Sequence, residues 1–137
     1  MSFVDTSGFY ACLVRRDDRH QDAAGILTEC RTSCREFVTT DYTLDETATL
    51  LKMRGHGHLI DPFFDIVFDS LACHIEWMDA QRFLAVRRSF SRLSNHDYSF
   101  TDCFSFHVMN ELHLKDALTK DANFREAGFH PLLITDK

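Results

Sequence analysis

The sequence contains no uninterrupted apolar run near the roughly 18 to 20 residues that span a bilayer, so a membrane-spanning helix is not expected. It has only two prolines, no internal repeat and no low-complexity tract, and nothing in it reads as a linker between domains. Positive charge is also short: 15 Lys and Arg stand against 21 Asp and Glu, a net −6. A nucleic-acid binder normally offers phosphate a basic surface, so this balance argues against one unless several acids converge on a cation, which inverts the local charge. The first residues mix polar and apolar types with no charged segment ahead of a long apolar stretch, unlike a secretory leader. The five cysteines, an odd number, then read as reduced thiols of a cytoplasmic protein.

What is abundant is phenylalanine, 13 in 137 residues, which points to a well-packed core. A chain of this length is expected to form one domain over residues 1–137, burying a little under ~70% of its unfolded surface with no help from disulfides or metal.

The run Ser2-Phe3-Val4 stops at Asp5, and hydroxyls and an amphipathic segment from Gly8 to Val14 follow at once. This reads as a buried strand feeding a helix capped by Thr6 or Ser7, with Asp5 at the strand's carboxyl end. In open α/β sheets the ligand crevice lies outside such ends, although Asp is equally at home there as a turn or capping residue. A basic joint over 15–20 leads to a second helix through Ala23, Ile26, Leu27 and Cys30. Cys30 and Cys34 share a helical face but lack a further Cys or His to complete a zinc set, so they read as packing or surface residues. Glu36–Thr40 is β-branched and ends in a hydroxyl that can cap the next helix, Asp41–Met53. On that helix Glu46 shares a stripe with Tyr42, Leu50 and Met53 and is expected to face inward, where a carboxylate is costly unless paired or bound to a cation. Asp45 is expected in solvent.

Gly55-His56-Gly57-His58 reads as a helix stop and loop, and Pro62–Phe68 as a helix with Asp61 as its cap. A third strand spans Cys73–Met78. The helix Ala80–Leu93 carries Arg82, Arg87, Arg88 and Arg92, the best basic patch in the chain and a candidate for phosphate contact, though such runs are usually solvated faces. Ser99 and Asp102 form a capping box at the next helix start. Short strands at 117–119 and 131–134 close the pattern, and Asp121 can cap the turn Ala122–Glu126.

Alternating strands and helices predict a three-layer α/β/α fold around a parallel sheet of four to five strands, whose right-handed crossovers bring strand ends to one edge. Asp5, Asp102 and Asp121 fall where a strand ends or a following helix begins, and Glu46 is the inward acid on the helix after the second strand. Four carboxylates at one edge repel unless a cation is present, and hard oxygen donors without Cys or His select Mg²⁺ or Mn²⁺.

FVDTSGFYACLVRRDDRHQDA, TTDYTLDETATLL and SFTDCFSFHVMNELHLKDALTKDANFREAGF resemble, in order and spacing, the motifs of PIN-domain nucleases, most closely VapC-type toxins of toxin–antitoxin pairs. The resemblance covers essentially the whole chain. It implies a Mg²⁺- or Mn²⁺-dependent endoribonuclease whose catalytic and metal-binding acids are Asp5, Glu46, Asp102 and Asp121, supported by Thr6 and Thr101. One or two cations would lower the pKa of a water in line with a phosphodiester and neutralise the reacting oxygens, leaving 5′-phosphate and 3′-hydroxyl ends. It also implies an antitoxin partner whose C-terminal segment enters the acidic cleft, and a homodimer. Lys120 departs from the family pattern, which usually has an apolar or small residue there, and joins Arg82, Arg87 and Arg88 as a possible phosphate contact. Asp97 is a fifth acid able to join the site. Two rival readings remain: a non-catalytic PIN-like module binding RNA or protein, and a phosphoacceptor receiver, which would leave Glu46 and Asp102 unexplained.

Overall fold

The computed structural model describes residues 1–33 and 35–135. Five strands, Ser2–Val4 (β1), Phe37–Thr40 (β2), Cys73–Glu76 (β3), Asp116–Leu118 (β4) and His130–Pro131 (β5), pair in the order β3-β2-β1-β4-β5, parallel throughout. The helices are Thr6–Leu13 (α1), His20–Thr32 (α2), Asp41–Met53 (α3), Ile60–Asp69 (α4), Ala80–Arg92 (α5), Phe100–Glu111 (α6) and Ala122–Glu126 (α7).

The three central strands, β2, β1 and β4, are largely buried on both faces, and the two-residue side-chain period divides them between two apolar layers. Val4, Phe37 and Leu118 pack with Phe9, Leu51 and Phe63 of α1, α3 and α4. Phe3, Val38 and Ala117 pack on the opposite side with Val86, Phe104, Met109 and Phe124 of α5, α6 and α7. The expected three-layer α/β/α arrangement with a parallel sheet is therefore what forms. Among the described residues no helix is long and apolar enough to cross a membrane.

Local details differ from the sequence reading. The cap of α1 is Asp5, whose side chain accepts from the Gly8 N–H, and Thr6 is already helical. The fourth helix starts at Ile60, continuing a 3₁₀ turn over Gly57–Leu59, so Asp61 lies inside the first turn and caps nothing. The last strand pairs only over His130–Pro131, after which the chain turns. Of the pair Cys30 and Cys34, Cys30 is buried in the core and Cys34 lies outside the described residues.

One close approach ties the elements that carry the site. A Cβ on Gly8 would stand 2.1 Å from the Leu118 carbonyl oxygen, so only glycine lets α1 lie against the end of β4.

Candidate active site

Strand order reverses at β1, with β2 on one side and β4 on the other. Such a reversal opens a crevice beyond the carboxyl ends of the strands. Here it is a cleft of about 250 Å³, and Asp5, Glu46, Asp102 and Asp121 all line it.

Three of the four acids also serve as helix caps, so the structural and functional readings of these residues hold together. Asp5 caps α1: its Oδ1 accepts from the Gly8 N–H at 3.0 Å and the Ser7 hydroxyl at 2.9 Å, and its Oδ2 accepts from the Thr119 hydroxyl at 2.8 Å. Asp102 forms the predicted capping box, its Oδ2 accepting from the Ser99 N–H at 3.1 Å while its own N–H donates to the Ser99 hydroxyl at 3.0 Å. Asp121 caps α7 through the Asn123 N–H at 2.9 Å. A carboxylate has about four acceptor sites, so each keeps capacity for a ligand after capping. The caps also fix the carboxylates in place.

Glu46 is exposed, contrary to the inward position expected of it. The buried stripe of α3 is Thr43, Leu44, Thr47 and Leu51. The threonines read as polar but bury well because their hydroxyls are satisfied locally: Thr40 donates to Thr43 at 3.1 Å, and Thr47 donates to the Thr43 carbonyl at 2.7 Å. Tyr42, Leu50 and Met53 thus do not define the core face, and Met53 is 79% exposed. Glu46 looks across the cleft towards Asp102 rather than into the core. Asp45 is exposed as expected.

The electrostatics are those of acids brought together without direct ion-pair partners among the described residues. Burial pushes the Asp5 carboxyl up from 3.8 to about 7, with the charge of Asp121 adding to the effect. Burial, followed by the charges of Asp121 and Glu46, raises Asp102 as well. Among the described residues no ion pair joins any of the four acids to a base.

Residues to which the sequence reading gave no part in the site complete the cleft. Thr119 ties two of the acids together, donating to Asp5 while accepting from the Asp121 N–H at 2.9 Å. The Ser7 hydroxyl accepts from the Lys120 N–H at 2.8 Å, closing the same net. The only available signal was a hydroxyl two positions from each acid. Tyr10, Asp17 and Arg54 also line the cleft.

The supporting residues fare unevenly. Thr6 lines the cleft, and its hydroxyl is buried with no hydrogen-bond partner among the described residues. Thr101 does not line the cleft; its carbonyl accepts from Ser105 within α6. Asp97 is exposed, and its backbone carbonyl accepts from Asn123. Lys120 reaches the cleft but is already held by Asp17, at 3.1 Å, and by Asp18. Arg82 is committed elsewhere, to Glu76, Glu111 and the Trp77 carbonyl, while Arg87 and Arg88 are exposed on α5 and line none of the cleft. The basic run on this helix is therefore one structural arginine and three exposed ones, Arg87, Arg88 and Arg92.

An all-oxygen set of four acids with an orphaned buried hydroxyl at its edge suits a hard divalent cation, which would relieve the repulsion that raises Asp5 and Asp102. Among the described residues no three acid, His or Cys side chains already stand in a metal-holding group, so the acids share the cleft without forming a closed cage.

The model of the PIN domain matches residues 2–130. The chain belongs to the PIN domain family. This PIN domain is 31% identical over 129 residues to the 23S rRNA-specific endonuclease VapC20 of Mycobacterium tuberculosis, with the same figures in strains CDC 1551 / Oshkosh and ATCC 25618 / H37Rv. The match covers 94% of this chain and 95% of the relative. The crystal structure of Mycobacterium tuberculosis VapC20, described as a sarcin-ricin loop cleaving toxin, superposes with a TM-score of 0.85 at 28% identity, over 95% of this chain and 97% of that one. The resemblance to VapC-type nucleases, drawn from the DTS, LDET and TDC blocks, is borne out, and so is the fold it implied.

Proposed function

We propose that this PIN domain is a divalent-cation-dependent endoribonuclease that hydrolyses RNA phosphodiester bonds, the toxin of a toxin–antitoxin pair. Asp5, Glu46, Asp102 and Asp121 are its catalytic acids. The observation that carries this reading is the convergence of the four in one cleft with no base paired to them among the described residues. The same four would hold Mg²⁺ or Mn²⁺, which when bound supplies a water of lowered pKa and neutralises charge on the reacting phosphate oxygens. The chain's own contribution is to hold the acids still. Ser7, Thr119 and the Gly8 N–H orient the Asp5 carboxylate, and Ser99 fixes Asp102. Thr6 keeps a buried hydroxyl with no partner among the described residues at the edge of the cleft. Hydrolysis by an activated water leaves 5′-phosphate and 3′-hydroxyl ends, and among the described residues no histidine lines the cleft to act as a metal-free base.

VapC20 acts on 23S rRNA, which makes that RNA and its sarcin-ricin loop the first substrates to try. The test is cleavage of end-labelled RNA with Mg²⁺ or Mn²⁺, with chelator, and with Asp102→Asn. Cation-dependent cutting that disappears in the variant supports the nuclease. Cation-independent cutting, or cutting that survives the variant, overturns the assignment of the acids. Folded protein that binds RNA or a protein partner without cutting it favours the non-catalytic module.

The expected partners are an antitoxin, with a basic residue entering the cleft, and a second copy of the chain. Supporting the homodimer, Phe83, Leu84 and Phe90 leave an exposed apolar strip on α5, beside an exposed Trp77. Sedimentation of the isolated protein tests it.

A further inference from the structure

The cleft is lined by two cations, and only one of them is compensated. Lys120 is enclosed by Asp17 and Asp18. Arg54 has no carboxylate partner among the described residues; its guanidinium instead lies over the Tyr10 ring, 5.1 Å from the centroid. His56 packs against Tyr10 as well, with centroids 5.9 Å apart in an edge-on arrangement.

The backbone that presents Arg54 is closely fixed. Arg54 is the C-cap of α3, and Gly55 follows at φ +79, the left-handed conformation that favours glycine. The His56 N–H donates to the Leu51 carbonyl at 2.8 Å and the Gly55 N–H to the Lys52 carbonyl at 3.3 Å, the paired bonds of a Schellman ending. That turn carries His56 to Tyr10 and leaves Arg54 at the cleft. Glu46, Leu50 and Arg54 recur at four-residue steps and all line the cleft, so one face of α3 carries an acid at one end and a base at the other. With a rise of about 1.5 Å per residue they stand about 12 Å apart along the axis.

From this placement we propose that Arg54, pre-oriented by Tyr10, anchors a backbone phosphate flanking the scissile bond of the RNA; the proposal rests on the endoribonuclease reading above. A chain of net −6 that gathers four acids in its cleft repels a polyanion, and an uncompensated cation along the strand's path offsets that locally. A guanidinium matches phosphate with two parallel N–H donors, and one already stacked on a ring gives up less rotamer freedom on binding.

The experiment uses Asp102→Asn protein, so that RNA stays intact, and reads the anisotropy of a labelled single-stranded oligoribonucleotide in Mg²⁺ across a NaCl series. Arg54→Ala on that background is expected to weaken binding by about tenfold at low salt and to reduce the log–log salt slope by about 0.7, one phosphate contact on a single strand. Arg54→Lys is expected to keep the slope. In otherwise wild-type protein Arg54→Ala should raise KM with kcat held within about twofold, the mark of uniform binding. If the non-cleaving parent binds RNA and Arg54→Ala changes neither affinity nor slope, in protein of unchanged circular dichroism, the proposal is overturned and the nuclease reading stands. If wild-type protein does not cut and the parent does not bind, the nuclease reading fails and takes this proposal with it.

Discussion

Two acid-rich clusters in this protein are built on opposite rules. At the end of α6, Glu111 and Glu76 receive Arg82: Glu111 accepts from Nε at 3.2 Å and from Nη2 at 3.1 Å, and Glu76 from Nη2 at 3.0 Å. His107 adds a contact of 2.6 Å to Glu111. Each charge there has a partner, and the Arg82 hydrogen bonds hold the Glu111 carboxyl below its usual range. In the cleft the acids are held by hydroxyls and backbone N–H groups, and burial with mutual repulsion pushes Asp5 and Asp102 up. Both clusters are geometrically ordered. The difference is whether the protein supplies the counter-charge itself or leaves it to a ligand, and the second arrangement is the one that marks a site.

The sharpest way to break this comparison is to remove one acid from each cluster. Asp102→Asn should lower RNA cleavage by about a hundredfold or more while changing stability by less than about 1 kcal/mol, since an amide oxygen can still accept the Ser99 N–H. Glu111→Gln should do the reverse, costing about 1 kcal/mol in urea unfolding and leaving kcat within about twofold. If both variants lose activity alike, the distinction between the clusters is wrong.

The next largest effect is expected from Gly8→Ala, where the new methyl group meets the Leu118 carbonyl at 2.1 Å. Relief requires α1 and β4 to move apart, and those elements carry Asp5 and Thr119. Stability should fall by about 2 to 3 kcal/mol, with activity in the surviving folded fraction reduced as well. Unfolding curves together with kcat per folded molecule check both parts.

A smaller effect sharpens the electrostatic half of the contrast. Folded Asp5 keeps its proton up to about pH 7, whereas the unfolded chain loses it near 3.8. Between those values the folded state binds more protons, so this group's contribution to metal-free stability is full below about pH 4 and is lost as pH rises to about 7. Asp5→Asn should flatten that decline. Mg²⁺ at pH 8 should raise the Tm of wild-type protein more than that of the variant, and an equal rise in both would count against Asp5 as a ligand. Least affected of all should be Arg87→Ala and Arg88→Ala, which alter solvated charges on α5 and are expected to leave cleavage within about twofold.

Much of this architecture was legible in one dimension. Short β-branched or apolar runs, each ending at an acid or hydroxyl and followed by a helical period, foretold the parallel sheet, and the DTS, LDET and TDC blocks foretold which carboxylates would meet. The supporting net was not legible. Thr119, Ser7 and Asp17 contact groups about a hundred residues away or across a turn, and a hydroxyl or acid in isolation does not reveal such a partner. The basic run misled for a related reason: charge along a helix shows in the sequence, but whether an arginine is free depends on what packs beside it. Arg82 was already taken, and Arg54, isolated in the sequence, was the uncompensated cation at the cleft.

The sequence by itself determined the layers of the fold, because side-chain period and strand-ending residues are local properties, and it determined that Asp5 and Asp121 share an edge, because parallel strands joined by right-handed crossovers send their carboxyl ends the same way. Only the tertiary structure decided which face of α3 the core takes, that Glu46 is exposed at the cleft, and that Lys120 is held by Asp17 and Asp18. Those outcomes turn on long-range packing and on the competition of charges for partners, and neither is written into any single stretch of the chain.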